Sequence, residues 1–137
     1  MNAHMCFDVR MTSSPLLVLI AGPYRSGTGD DPAKLAANVD RMNRAALEVF
    51  RRGHVPITGE AVALPLIELA GSAAVGDAVF DAIFHPVARK LLDRCDAVLR
   101  VGGASAGADE MVARAAAGGK LVAHAAEELP ALAEVAA

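Results

Sequence analysis

The chain has no tryptophan, a single tyrosine, four phenylalanines and only two cysteines in 137 residues. Cys6 and Cys95 stand far apart without paired spacing. A disulfide framework is therefore not expected, and a reducing cytoplasmic setting fits. His4, His54, His85 and His124 form no i, i+4 pair, so no metal site is expected, and no cofactor motif stands in its place. Long apolar runs are also missing. None approaches the roughly 20 residues that a membrane helix needs, so a soluble chain with no membrane partner is expected. Neither sign of charge dominates, with 13 Lys and Arg against 16 Asp and Glu. Without a basic stripe, binding to long nucleic acid is not expected, since it relies on many phosphate contacts. Residues 1–14 lack the apolar centre of a signal peptide and read as a disordered leader, with Met5 or Met11 as alternative starts. Residues 15–137 then form one domain, long enough to bury a core without staples.

What is present is a strong α/β pattern. Leu16-Leu17-Val18-Leu19-Ile20 is an unbroken apolar run, the mark of a parallel strand buried on both faces. A glycine-rich turn follows, and Asp31-Pro32 opens a helix: aspartate caps it, and proline suits a first turn where its missing N–H costs nothing. Leu35, Val39, Met42, Ala46, Val49 and Phe50 recur at helical spacing as its buried stripe. Gly53 ends that helix, and His54–Thr58 reads as a strand whose Pro56 points to a sheet edge. Residues 61–70 are helical in pattern but interrupted by Pro65. A second helical stretch starts near Asp77 and either kinks or restarts at Pro86. Ala97–Val101 and Leu121–His124 are further strands, separated by a helix from Ser105 to about Ala117. Pro130 is expected to start a short terminal helix. Strands alternating with helices predict a parallel sheet of four to five strands covered on both faces.

In such sheets ligands bind beyond the carboxyl ends of the strands, where strand order reverses. That rule gathers Gly22, Pro23, Tyr24, Arg25 and Ser26 with Glu60 and with Ser105, Gly107, Ala108, Asp109 and Glu110. Two phosphate motifs fail on spacing. Gly22 and Gly27 have P-loop separation, but Thr28 stands where that motif needs lysine, and the glycines do not spell a dinucleotide fingerprint. Each candidate also has a plain structural reading. Ser105 is first a helix N-cap, Asp109 and Glu110 suit the dipole of a first turn, and Asp81 with His85 make an ordinary i, i+4 pair.

The order and spacing of four segments carry a resemblance. They are Ile20-Ala21-Gly22-Pro23-Tyr24, Arg52-Gly53-His54, Cys95-Asp96-Ala97-Val98 and Ser105-Ala106-Gly107-Ala108. Together they resemble the nucleoside 2-deoxyribosyltransferase-like superfamily, especially its small bacterial branch, over residues 16–124. The resemblance implies a flavodoxin-like three-layer fold, a site for a nucleoside or nucleoside monophosphate, and a homo-oligomer formed through helices beside that site, for which residues 61–70 are the candidate surface. It also implies cleavage or transfer of an N-glycosidic bond, with a glutamate taking the sugar before water or another base does. The family places that glutamate six residues after the serine, where this chain has Met111, and its supporting aspartate where this chain has Ala88. Glu110 precedes Met111 by one residue, a turn of about 100° around a helix. On the enzymatic expectation Glu110 is nucleophile or electrostatic shield, and Asp81 or His85 moves the proton. The alternative is a nucleotide-binding or sensor module that performs no chemistry.

Overall fold

A computed structural model describes residues 11–132. Six strands and four α-helices follow in order: β1 (Met11–Thr12), β2 (Leu17–Ala21), α1 (Pro32–Arg51), β3 (Val55–Thr58), α2 (Gly59–Leu69), α3 (Ala78–Arg94), β4 (Ala97–Arg100), α4 (Ala106–Ala117), β5 (Leu121–Ala123) and β6 (Ala131–Leu132), with a 3₁₀ turn at Ala126–Glu128 before β6. The main sheet is parallel throughout, in the order β3-β2-β4-β5. Helices flank it in a flavodoxin-like three-layer sandwich, as the alternating pattern predicts. No helix among the described residues is long and apolar enough to cross a membrane.

Alternation along β2 divides the core in two. Val18 and Ile20 face α1 and pack with Met42, Val49, Leu99 and Leu129. Leu19 and Ala21 face the other side and pack with Leu92, Ala108, Met111 and Ala115 of α3 and α4. A third cluster, built on Ala63, Ile67 and Phe80, joins α2 to α3 beside the sheet. The central strand is thus buried on both faces, and Pro56 lies on the edge strand β3, where its missing N–H breaks no ladder.

Four expectations need correction. Phe50 is 62% exposed; it lies one residue from the buried Val49, so the helix turns it outward. Its place in the buried stripe is taken by Asn38, whose Nδ2 donates to the Tyr24 carbonyl at 2.8 Å. Pro65 and Pro86 both sit inside unbroken helices. The packing of α2 on α3 through Ala63, Ile67 and Phe80 outweighs the roughly 3 kcal/mol that a mid-helix proline costs. Pro130 begins no helix within the described residues but leads directly into β6. Residues 1–10 of the expected leader lie outside the described residues, whereas Met11–Thr12 pairs in parallel with Ala131–Leu132.

His54 ties the beginning and end of the described chain together. It is 1% exposed. Its Nδ1 accepts from the Leu16 N–H at 3.0 Å, and its Nε2 lies 2.7 Å from the Pro130 carbonyl. Both contacts are satisfied by a neutral ring protonated on Nε2. His54→Ala strands a buried N–H and a buried carbonyl and opens a cavity. We expect a loss of about 2–4 kcal/mol in urea unfolding, against less than about 0.5 kcal/mol for the exposed His124→Ala.

Candidate functional site

The crevice forms where the chain leaves β2 and β4 in opposite directions. After β2, Gly22 presses against the β4 end. A Cβ there would lie 3.0 Å from the Val101 carbonyl oxygen and 3.1 Å from Val101 Cγ2, so any larger residue would require Val101 to give by a few tenths of an ångström. Gly102 answers from the other loop with φ +77° against the Pro23 ring. Beyond Pro23 the loop is internally braced. The Arg25 carbonyl accepts from the Thr28 N–H at 3.1 Å and from the Thr28 hydroxyl. The Arg25 guanidinium grips Asp30 in a fork at 2.9 and 2.8 Å.

Behind these loops lies a cavity of about 270 Å³, just under the lower end of the roughly 300–1,000 Å³ usual for small-molecule sites. Its floor is the end of β2 (Leu19, Ile20 and Ala21), and Ala88 of α3 with Ala108 and Met111 of α4 form its apolar side. Phe84 closes another wall. It stacks on Tyr24 at 5.4 Å between centroids and on Phe80 at 4.8 Å. The polar lining is sparse: Tyr24, Arg25 and Ser26 from the first loop, Glu60 from α2, His85 from α3 and Ser105 at the start of α4.

Of the residues expected at the site, Gly22, Tyr24, Arg25, Ser26, Glu60, His85, Ser105, Gly107 and Ala108 all line this cavity. Pro23 is buried and lines an adjoining recess with Ser26, Asn38, Arg41 and Gly102. Three expected residues line neither the cavity nor the recess. The Glu110 carboxylate is held by Arg89 at 2.6 and 3.1 Å, which also keeps it below the usual carboxylate range. Asp109 turns outward and meets Arg100 at 3.1 Å. Asp81 is exposed near the start of α3. For Asp109 and Glu110 the reason is rotational: Met111 and Ala108 point into the fold from α4, so these two intervening residues face away. His85 reaches the cavity beside Gly107, where a Cβ would lie 3.5 Å from its Cε1.

The start of α4 supplies donors. Ser105 Oγ accepts from the Ala108 N–H at 3.1 Å, and the N–H groups of Ala106 and Gly107 have no intrahelical acceptor. Arg41, not singled out in the sequence, lines the adjoining recess together with Ser105 and Ala106. Its Nη1 donates to Asn38 Oδ1 at 2.9 Å. Phe84 was also missed. The signal was there in the i, i+4 spacing of Phe80 and Phe84, which reads equally well as plain core.

Glu60 is the one acidic residue in the cavity lining and is 8% exposed. Thr58 caps α2 by accepting from the Ala61 N–H at 3.1 Å, which places Glu60 in the first turn. The helix dipole there favours a negative charge. Burial opposes it and prevails, pushing the carboxyl up to about 7, with only its own backbone N–H pulling the other way.

These features define a small parallel α/β protein with an apolar, aromatic-walled crevice at the carboxyl edge of its sheet. No family model matches the chain, and no curated protein matches it. Among the described residues no group of three or more His, Cys, Asp or Glu is placed to hold a metal.

The Glu60 environment makes a prediction about stability. The folded protein holds this proton more tightly than the unfolded chain. Its stabilising contribution is fully present below about pH 4.5 and is lost as pH rises through about 7. The total is roughly 3 kcal/mol. Denaturant unfolding across that range is expected to show Glu60→Gln gaining on the parent protein as pH rises, with the difference flat above about pH 8.

Proposed function

We propose that the chain binds a nucleoside or nucleoside monophosphate in this crevice and does not cleave it. The observation that carries the reading is the identity of the residues facing the cavity from α3 and α4. Ala88 and Met111 stand at the two positions where the resembling enzymes keep their carboxylates, and both line the cavity. Neither side chain can attack an anomeric carbon or stabilise the positive charge that develops there. Glu110, the nearest acid in sequence, is engaged with Arg89. What is left suits binding. A flat base stacks against Tyr24 and Phe84. A 5′-phosphate lies at the first turn of α4, where the N–H groups of Ala106 and Gly107 and the Arg41 guanidinium can meet it.

Glycosidic cleavage stands as a second reading because one of the three residues assigned to chemistry, His85, lines the cavity together with Glu60. On either reading the protein is cytoplasmic and works on a small molecule. It associates with itself through α2, where Leu66 and Leu69 are 45% and 85% exposed.

Thermal unfolding with a panel of nucleosides and monophosphates separates the readings. A monophosphate at a hundredfold excess over its Kd is expected to stabilise the fold by about 2.7 kcal/mol. No free base should appear on prolonged incubation, and Glu110→Ala should bind as the parent does. Release of base that disappears in His85→Ala or Glu60→Gln would establish the enzymatic reading instead. Arg41→Ala is expected to weaken a monophosphate by about tenfold while leaving the matching nucleoside within about twofold.

A further inference from the structure

Within that reading, the structure assigns Glu60 as the residue that reads the base: it keeps its proton and pairs, as donor and acceptor at once, with a base edge presenting one acceptor beside one donor. The argument starts from isolation. Glu60 is more than nine-tenths buried and lines the cavity. Its carboxyl accepts from its own backbone N–H, and among the described residues no other residue hydrogen-bonds it; no side-chain oxygen is left both buried and unsatisfied, so its remaining bonding capacity opens on the cavity.

The surroundings decide the protonation state. From the β2–α1 loop Glu60 faces Tyr24, itself shifted upward by burial first and then by the negative charge of Glu60. The Arg25 guanidinium also lies on this side, but its fork is closed on Asp30 and its remaining surface lies over Phe80, 5.8 Å from the ring centre. From α3 the ionisable neighbour in the lining is His85, and from α4 and β2 the lining holds no charged residue. Among the described residues the one arginine in the lining, Arg25, is thus already paired, and no lysine lines the cavity. A stacked base displaces water from the carboxyl and raises the cost of its charge further.

A protonated carboxyl offers one O–H and one carbonyl oxygen side by side. That pair matches the ring nitrogen and exocyclic amine of adenine or cytosine. With its hydroxyl hydrogen on the other oxygen it also matches the reversed edge of uracil or hypoxanthine. Guanine is matched in either state: its O6 and ring N–H pair with the protonated carboxyl, and its ring N–H and amine, two adjacent donors, pair with the carboxylate. Uptake of the other bases is thus coupled to proton retention, whereas guanine keeps a pairing edge when the proton leaves.

The test is calorimetric titration of the full chain with adenosine, cytidine and guanosine at about pH 6 and about pH 8.5. Nucleosides are used because a monophosphate itself titrates near pH 6. Adenosine and cytidine are expected to bind about 30-fold more weakly at the higher pH, as follows from a carboxyl titrating near 7. Guanosine is expected to hold its affinity within about threefold across the same pH range, because it presents an edge to either protonation state. In Glu60→Gln, whose amide always offers one donor and one acceptor, the pH dependence should vanish. Guanosine weakening with pH as steeply as adenosine, or an unchanged pH profile in Glu60→Gln, overturns the assignment while leaving nucleoside binding intact. Failure of every nucleoside to bind at either pH removes the binding reading itself, and this assignment with it.

Discussion

The close approach of Gly22 to the Val101 carbonyl is the constraint on which the crevice depends. Two neighbouring parallel strands, β2 and β4, send their following loops to opposite sides of the sheet, and a gap between those loops is inevitable. How wide the gap becomes is set locally. With a Cβ at residue 22 the Val101 contacts would have to give by a few tenths of an ångström, two residues before the Tyr24 ring that stacks on Phe84. Asn38 secures the same loop from below by donating to the Tyr24 carbonyl, although an asparagine in the buried face of a helix has no packing advantage over leucine. The position gives up apolar burial to fix the backbone that presents the aromatic ring.

Much of the fold was legible in the sequence because its strongest signals are long-range periodicities. The apolar run of β2, the Asp31-Pro32 helix start and the alternation of strands with helices each depend on one physical rule and few neighbours. The errors lie where a local propensity met a tertiary interaction. Pro65 disfavours a helix interior, yet packing of α2 against Phe80 keeps that helix continuous, while α3 runs on through Pro86, one of the two courses expected there. Phe50 is apolar and falls near the stripe, but the tighter Val49 occupies the core side.

The site was half legible, for a related reason. Sheet topology places backbone at the rim, so Gly22 to Ser26, Glu60 and Ser105 were found from strand ends alone. It does not fix which way a helix is rotated about its axis. Glu110 and Met111 differ by one step on α4, and the apolar core chose Met111. A helix whose inward residues are Ala108, Met111 and Ala115 has committed that face to packing, and an acid beside it can only find a partner outside, which here is Arg89. The same logic explains Asp109 and Arg100. The position that matters chemically therefore has the side chain that burial favours and not the one that cleavage of a glycosidic bond requires.

Glu60 is the opposite case. A leucine at this position would remove the cost of burying a carboxyl and would extend the apolar wall formed by Ala88 and Met111. The chain instead keeps an acid in the first turn of α2, where the dipole and its own backbone N–H support it only in part, and, among the described residues, pairs it with no cation. Isolated buried ionisable groups are costly to a fold and cluster at sites of function. Arg89, Arg100 and Arg114 each take a carboxylate on the outer surface of α3 and α4. With arginines so readily matched to acids elsewhere, leaving Glu60 unmatched makes its proton, and not a fixed charge, the feature that the cavity presents to a ligand.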